Sequence, residues 1–176
     1  MKVALIDAID LMGIGGYLDR QTGQYIRPKW QVDACYPELG LTSEDYQRFA
    51  ANPDRYLTGP VMRLSGVVCK TAIAMGNITR EQLMELGFKQ PEQWELFYRE
   101  PTTVEGAAPR CPDEDWEASN RVEDYMREHG GGEVYIAYCK ISSNIVVQLA
   151  KEWIAQHGLE YYEESPSWPL FFEQGE

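Results

Sequence analysis

With 176 residues, 44% of them apolar and 12% aromatic, the chain is long enough to bury about two-thirds of its unfolded surface without disulfide support. Charged residues at 25% sit near the globular average, which argues against a disordered acidic tail despite a net charge of −12. That charge is lopsided: residues 1–80 hold nine Lys/Arg against eight Asp/Glu and residues 81–176 hold seven against twenty, an imbalance that disfavours nucleic acid and favours a basic protein partner.

Lys2 to Ile6 reads as a strand, broken by Asp7 too early for a signal-peptide core, and no run approaches eighteen apolar residues, so the location expected is cytoplasmic. An apolar stretch then ends at Gly13, Gly15 and Gly16. Tyr17 to Ile26 alternates around a Thr22-Gly23 turn and predicts a β-hairpin. Thr42 and Ser43 precede a short helix, Glu44 to Ala51, stopped by Asn52-Pro53. Val61 to Met75 fits either period, alternating at Val67, Cys69, Thr71, Ile73 and Met75 yet holding Ala72 and Ala74. Asn77 to Gly87 carries a full set of helix signals: Thr79 as cap, Gln82 reaching back, Ile78 stapled onto Leu83, and Gly87 as the left-handed exit.

Trp94 to Arg99 reads as a strand, and the Pro/Gly-rich stretch 101–112 as a loop. An acidic helix is expected over Asp113 to His129, with Trp116, Val122 and Met126 toward the body and Gly130-Gly131-Gly132 ending it. Glu133 to Ile141 alternates as a strand, and Ser142/Ser143 then cap a helix whose stripe is Ile145, Val146, Leu149, Ala150, Trp153 and Ile154, closed by Gly158. Glu160 to Phe172 is a final aromatic strand. The expected class is α+β, a mixed, mainly antiparallel sheet with two or three packed helices. One domain over 1–176 is expected, with 101–112 the one candidate junction between sub-lobes 1–100 and 113–176.

Tyr17-Leu18-Asp19, Thr22-Gly23, Asn52-Pro53-Asp54-Arg55-Tyr56-Leu57 and the helix end Ala150-Lys151-Glu152-Trp153-Ile154 through Gly158 resemble short segments of a family of small uncharacterised bacterial proteins. The resemblance covers about a third of the chain in pieces, departs from the family between Val61 and Lys140, and implies a bacterial or phage origin but no activity.

Cys35, Cys69, Cys111 and Cys139 lie too far apart for C-x-x-C half-sites, so free thiols are expected. Cys139 on its strand and His157 at the end of the next helix form the one candidate nucleophile pair, set against a core cysteine and a histidine complementing a helix dipole. Gly13-Ile14-Gly15-Gly16 lacks the third glycine of a dinucleotide loop because Leu18 occupies that place. The Gly130–132 run is flanked by Glu128 and Glu133, which oppose phosphate. Asp113-Glu114-Asp115-Trp116-Glu117 lacks the alternate spacing and turning Gly of a calcium loop, and the helix N-terminus accounts for the acids. No metal and no cofactor is expected.

What remains is an acidic, aromatic surface in two pieces. Asp113, Glu114, Asp115, Trp116, Glu117, Glu123, Asp124, Tyr125 and Glu128 form one, and Glu160, Tyr161, Tyr162, Glu163 and Glu164 the other. The expectation is a non-enzymatic binding protein that docks on a positively charged groove of a partner. Its most concrete version is a phage or mobile-element inhibitor of a nucleic-acid-targeting bacterial defence complex, of the anti-CRISPR or anti-restriction type, with carboxylates in the place of phosphates. The alternatives are a small cytosolic enzyme using the Cys/His pair or paired carboxylates, and a housekeeping protein of the resembling family that homodimerises through the aromatic tail.

Overall fold

In chain order, the computed structural model holds β1 (Lys2–Ala4), α1 (Leu5–Ile14), β2 (Tyr17–Asp19), β3 (Tyr25–Ile26), α2 (Lys29–Cys35), α3 (Ser43–Ala50), β4 (Tyr56–Leu57), α4 (Leu64–Met75), α5 (Arg80–Glu85), α6 (Asp113–Gln156) and β5 (Glu160–Tyr162), with 3-10 turns at Pro37–Leu39 and Pro91–Trp94. The structure describes residues 1–98 and 113–163, with side chains in α6 from Trp116 onward. Among the described residues β3-β2-β4 form an antiparallel sheet and β1-β5 a parallel pair. The class is α+β.

The described chain divides into two compact units that interleave in sequence: unit 1 comprises Met1–Met62 with residues 97–98 and 149–163, and unit 2 comprises Arg63–Leu96 with 113–148. Unit 1 is built on the expected hairpin, with Tyr17 opposite Ile26 and Leu18 opposite Tyr25. Gly23 turns it with φ 76°, and any Cβ there would meet the Lys2 carbonyl oxygen at 2.7 Å, so only glycine fits. β4 adds on the other side of β2, placing Asp19 opposite Tyr56. Tyr17, Tyr46, Phe49 and Tyr56 pack edge-to-face or tilted, with ring centroids 4.7 to 6.5 Å apart. Asp19, 5% exposed, accepts both Arg55 Nη2 at 2.8 Å and Nε at 3.2 Å, plus the Gln21 amide at 2.8 Å. The Tyr-Leu-Asp and Asp-Arg-Tyr segments therefore meet, joined by a forked ion pair and a shared aromatic cluster. Thr42 and Asp45 form a reciprocal capping box on α3.

Unit 2 is held by Val68, Cys69, Ala72, Ile78, Leu83, Phe88, Ala118, Val122, Met126 and Tyr138. Val61 to Met75 resolves as helix from Leu64, since α4 buries Val68, Cys69 and Ala72 at helical spacing. Gly66 permits the packing: a Cβ there would lie 2.0 Å from the Glu95 carbonyl oxygen. Thr79 and Gln82 cap α5 reciprocally, as the sequence predicts, and Ile78 and Leu83 are both buried. At Gly87 (φ 119°) the open space is filled by Arg121, whose Nε donates to the Leu86 carbonyl at 2.6 Å.

Several expectations fail for identifiable reasons. Beyond Ala4 the first strand becomes α1, which buries Leu5, Ala8, Leu11 and Met12 with helical periodicity. Trp94 ends a 3-10 turn, and Phe97 makes one isolated bridge to Met62 in place of a strand. Glu133 to Ile141 is helical, and Ser142 and Ser143 lie within α6 rather than capping it. The strand expectation rests on the alternation along this segment. The same segment pairs Val134 with Tyr138 and Tyr135 with Cys139 four apart, and all four pack on the unit 2 core. Trp116 is 56% exposed, because it lies about 200° around the helix from Ala118, the residue that starts the buried Ala118-Val122-Met126 row. Gly131 (φ 67°, ψ −171°) interrupts α6 in a region essentially reserved for glycine, and the helix restarts at once.

Candidate docking surface

The acidic helix segment is less acidic than its composition. From Glu117 to Glu128 four carboxylates share the surface with two arginines. Glu117 lies 3.6 Å from Arg121 Nη1, and Arg127 lies 3.5 Å from Asp124 and 3.9 Å from Glu123. All three contacts follow the three- or four-residue spacing that places side chains on one helix face. Arg127 also covers the Tyr135 ring, 4.3 Å from its centroid, and donates to its hydroxyl at 2.9 Å. Tyr125 is turned inward: its hydroxyl accepts from Gln82 Nε2 at 3.0 Å and its ring stacks on His129 at 4.1 Å. Trp116, Glu117, Asp124 and Glu128 are exposed, Glu123 and Tyr125 half-buried. The side chains of Asp113, Glu114 and Asp115 lie outside the described ones.

The second piece is different. β5 runs parallel to β1 in the register Lys2–Glu160, Val3–Tyr161 and Ala4–Tyr162. Val3 and Ala4 are buried, whereas Glu160, Tyr161, Tyr162 and Glu163 are all exposed, the two rings by 38% and 44%. Lys151 reaches this segment, with Nζ 3.7 Å from Glu163 and 5.2 Å from the Tyr161 ring centroid. Lys151 thus tempers Glu163, and the surface is as much aromatic as acidic. Glu164 lies outside the described residues. The helix piece belongs to unit 2 and the strand piece to unit 1.

The Cys/His pair loses the strand that motivated it. Cys139 is helical, half-buried against the unit 2 core, and His157 follows the end of the same helix eighteen positions on. The His157 Nδ1 lies 2.8 Å from the Trp153 carbonyl oxygen and its ring packs 4.5 Å from the Trp153 ring. Cys35, Cys69 and Cys139 are free thiols, and among the described residues no group of three or more His, Cys, Asp or Glu is arranged to hold a metal. No described helix is long and apolar enough to cross a membrane.

The cations of unit 1 bear on nucleic-acid binding. Lys29 pairs with Asp33 at 2.6 Å, Arg48 with Asp45 at 2.7 Å and Arg55 with Asp19 at 2.8 Å. Three of the cations that could have met phosphate are thereby engaged within the fold. Arg27 differs: its guanidinium lies over the rings of Tyr36 at 4.6 Å and Tyr25 at 5.7 Å. It shares a neighbourhood with Asp10, whose carboxyl is raised from its ordinary value by burial, against the lowering effect of Arg27. Neither residue stands out from motif spacing, although an acid inside the otherwise apolar run Ala8 to Met12 is a signal that could have been read.

No known protein family, curated protein or solved structure matches the chain.

Proposed function

We propose that the protein is a non-enzymatic binding protein that docks through the β5 segment onto a positively charged surface of another protein. The observation that supports this reading is the exposure of two tyrosines in succession between two glutamates, on a strand whose neighbour β1 is buried at the paired positions. Tyrosine supplies large contact area at small entropic cost, and flanking carboxylates select lysine and arginine while steering approach. The exposed Trp116 with Glu117, Asp124 and Glu128 is a secondary contact, weakened by Arg121 and Arg127. The most concrete partner is a basic, nucleic-acid-handling bacterial defence complex, with carboxylates standing where phosphates would bind; the acidic excess of residues 81–176 is the support for that version.

The test is affinity capture from bacterial lysate with the wild-type chain and with a Y161S/Y162S/E160Q/E163Q variant, before and after nuclease and at low and raised salt. The expected result is a basic nucleic-acid-binding complex held through nuclease treatment, weakened by salt and lost by the variant. Capture that ignores salt, or that the variant retains in full, overturns the reading.

A further inference from the structure

β1 and β5 form a two-stranded parallel pair in unit 1, and the two outer edges of that pair end differently. Glu160 donates its amide to the Met1 carbonyl at 3.0 Å, which sets the alternation of the ladder. In a strand the amide and carbonyl of one residue point to the same edge, and those of the next residue point to the other. With Lys2 opposite Glu160 and Ala4 opposite Tyr162, Glu160 and Tyr162 therefore bond to β1, and the Tyr161 amide and carbonyl point away from it. By the same alternation the Lys2 carbonyl points to the far edge of β1. The Gly23 turn lies against that edge, so close that a Cβ on it would come within 2.7 Å of the oxygen. One edge of the pair is thus closed by the hairpin, whereas no described strand lies beyond β5.

Unpaired strand edges attract other strands, and charge on the edge selects which of them can pair. Glu160 and Glu163 flank the Tyr161-Tyr162 step, so a second copy of this chain, with its net charge of −12, would bring the same carboxylates to one seam. A segment bearing lysine or arginine meets no such repulsion. We infer that the β5 edge takes up an extended, Lys/Arg-bearing segment of the partner as an added strand bonded to the Tyr161 amide and carbonyl, a mode of binding that rests on the docking role proposed for β5. Side chains of strands alternate between the two faces of a sheet, so β5 presents one tyrosine and one glutamate on each. Tyr161 and Glu163 share the face that Lys151 already occupies, with Nζ 3.7 Å from Glu163 and 5.2 Å from the Tyr161 ring centroid. The incoming cations belong on the other face, where Glu160 and Tyr162 are exposed. Lys2 is the register partner of Glu160 on the β1 side, so a cation beyond Glu160 completes a row of alternating charge across three strands. A segment with Lys or Arg at every second position fits, its apolar stems along the Tyr162 ring and its charged heads toward Glu160.

The test is hydrogen exchange of the β5 amides, followed by NMR in the full chain alone and with short synthetic peptides carrying Lys or Arg at alternate positions and Val or Thr between them. In the free chain the Tyr161 amide is expected to exchange at least about tenfold faster than the Tyr162 amide, which bonds to β1. At least one peptide should bind saturably at low salt and slow Tyr161 exchange at least about tenfold. Methylating the peptide's own amides should abolish binding at one alternate set and spare the other, because a single edge of the added strand meets β5. Tyr161→Pro should lose the binding, whereas Tyr161→Ala, which keeps the amide, should retain more of it. Near-ultraviolet circular dichroism checks that both variants fold; should Tyr161→Pro fail to, amide exchange and the methylated peptides on the wild-type chain decide alone. Binding that leaves Tyr161 exchange unchanged, that tolerates methylation at both sets, or that the two folded variants share equally overturns strand addition and leaves docking through side chains intact. Tyr161 protection already present in the free chain also overturns it, whether it grows with concentration, as for a second copy, or is constant, as for cover by the chain itself. If no peptide binds, strand addition fails while capture from lysate still decides the docking role.

Discussion

Unit 1 and unit 2 solve the problem of specifying a fold by different means. Unit 1 relies on directional contacts: a forked Asp19–Arg55 pair, four aromatic rings in mutual contact, and a glycine turn pressed against the Lys2 carbonyl. Unit 2 relies on aliphatic volume, with Val68, Leu83, Val122 and Met126 clustered with Phe88 and with one capped helix, α5. Directional contacts leave recognisable residues in a sequence. Volume leaves only a periodicity, which is why, the capped helix after Asn77 apart, the motif-like segments of this chain fall in unit 1 and turn out to build the fold.

That comparison can be broken by mutation. Phe88→Ala should have the largest effect, a loss of about 3–5 kcal/mol measured by urea denaturation, because a fully buried ring leaves a cavity at the centre of unit 2. Gly131→Ala should cost about 1–3 kcal/mol, since its φ of 67° with ψ of −171° is closed to alanine. Gly132→Ala is its control: a Cβ there meets nothing within 4 Å, so the change should be neutral or stabilising.

Asp19→Ala should cost about 1–3 kcal/mol, less than a fully enclosed pair would, because the Arg55 side chain is 35% exposed. It should also alter the acid response. The Arg55 hydrogen bond chiefly holds the Asp19 carboxyl below its ordinary value of 3.8. Its stabilisation is complete above the unfolded pKa and drains away as pH falls through the lower folded one. Removing Asp19 should therefore flatten stability against pH below about pH 4, leaving the slope contributed by Asp45, which Thr42 holds low, and by Glu81, held low by hydrogen bonds to its own amide and to Thr79. An unchanged acid slope in Asp19→Ala would show that the pair is not the directional anchor of unit 1. Thr79→Ala, which removes one half of a capping box in unit 2, should cost about 1 kcal/mol.

The same division explains what the sequence reveals. The hairpin, the Thr79–Gln82 capping box and the acidic helix were legible because each depends on residues within a few positions of one another. The segment from Glu133 to Ile141 was not, because its β-branched and aromatic side chains suit a strand until a core exists for Val134 and Tyr138 to share. The meeting of Asp19 and Arg55 required pairing across thirty-six positions. The arginines that temper the acidic helix were in view throughout at three- and four-residue spacing; net charge alone concealed them.

The smallest stability effects are expected at the two acidic surfaces, where they separate structure from recognition. Replacing Glu123 and Asp124 by their amides should barely move the melting temperature, because exposed pairs to Arg127 contribute little, but it frees Arg127 and makes the helix face less acidic. Replacing Tyr161 and Tyr162 by serine should also leave the melting temperature almost unchanged, since both rings already meet solvent. If β5 is the docking element, the tyrosine variant loses partner binding while the helix variant loses only a fraction of the association rate at low salt. The reverse order would move the docking element from unit 1 to unit 2, and with it the role of the exposed Trp116.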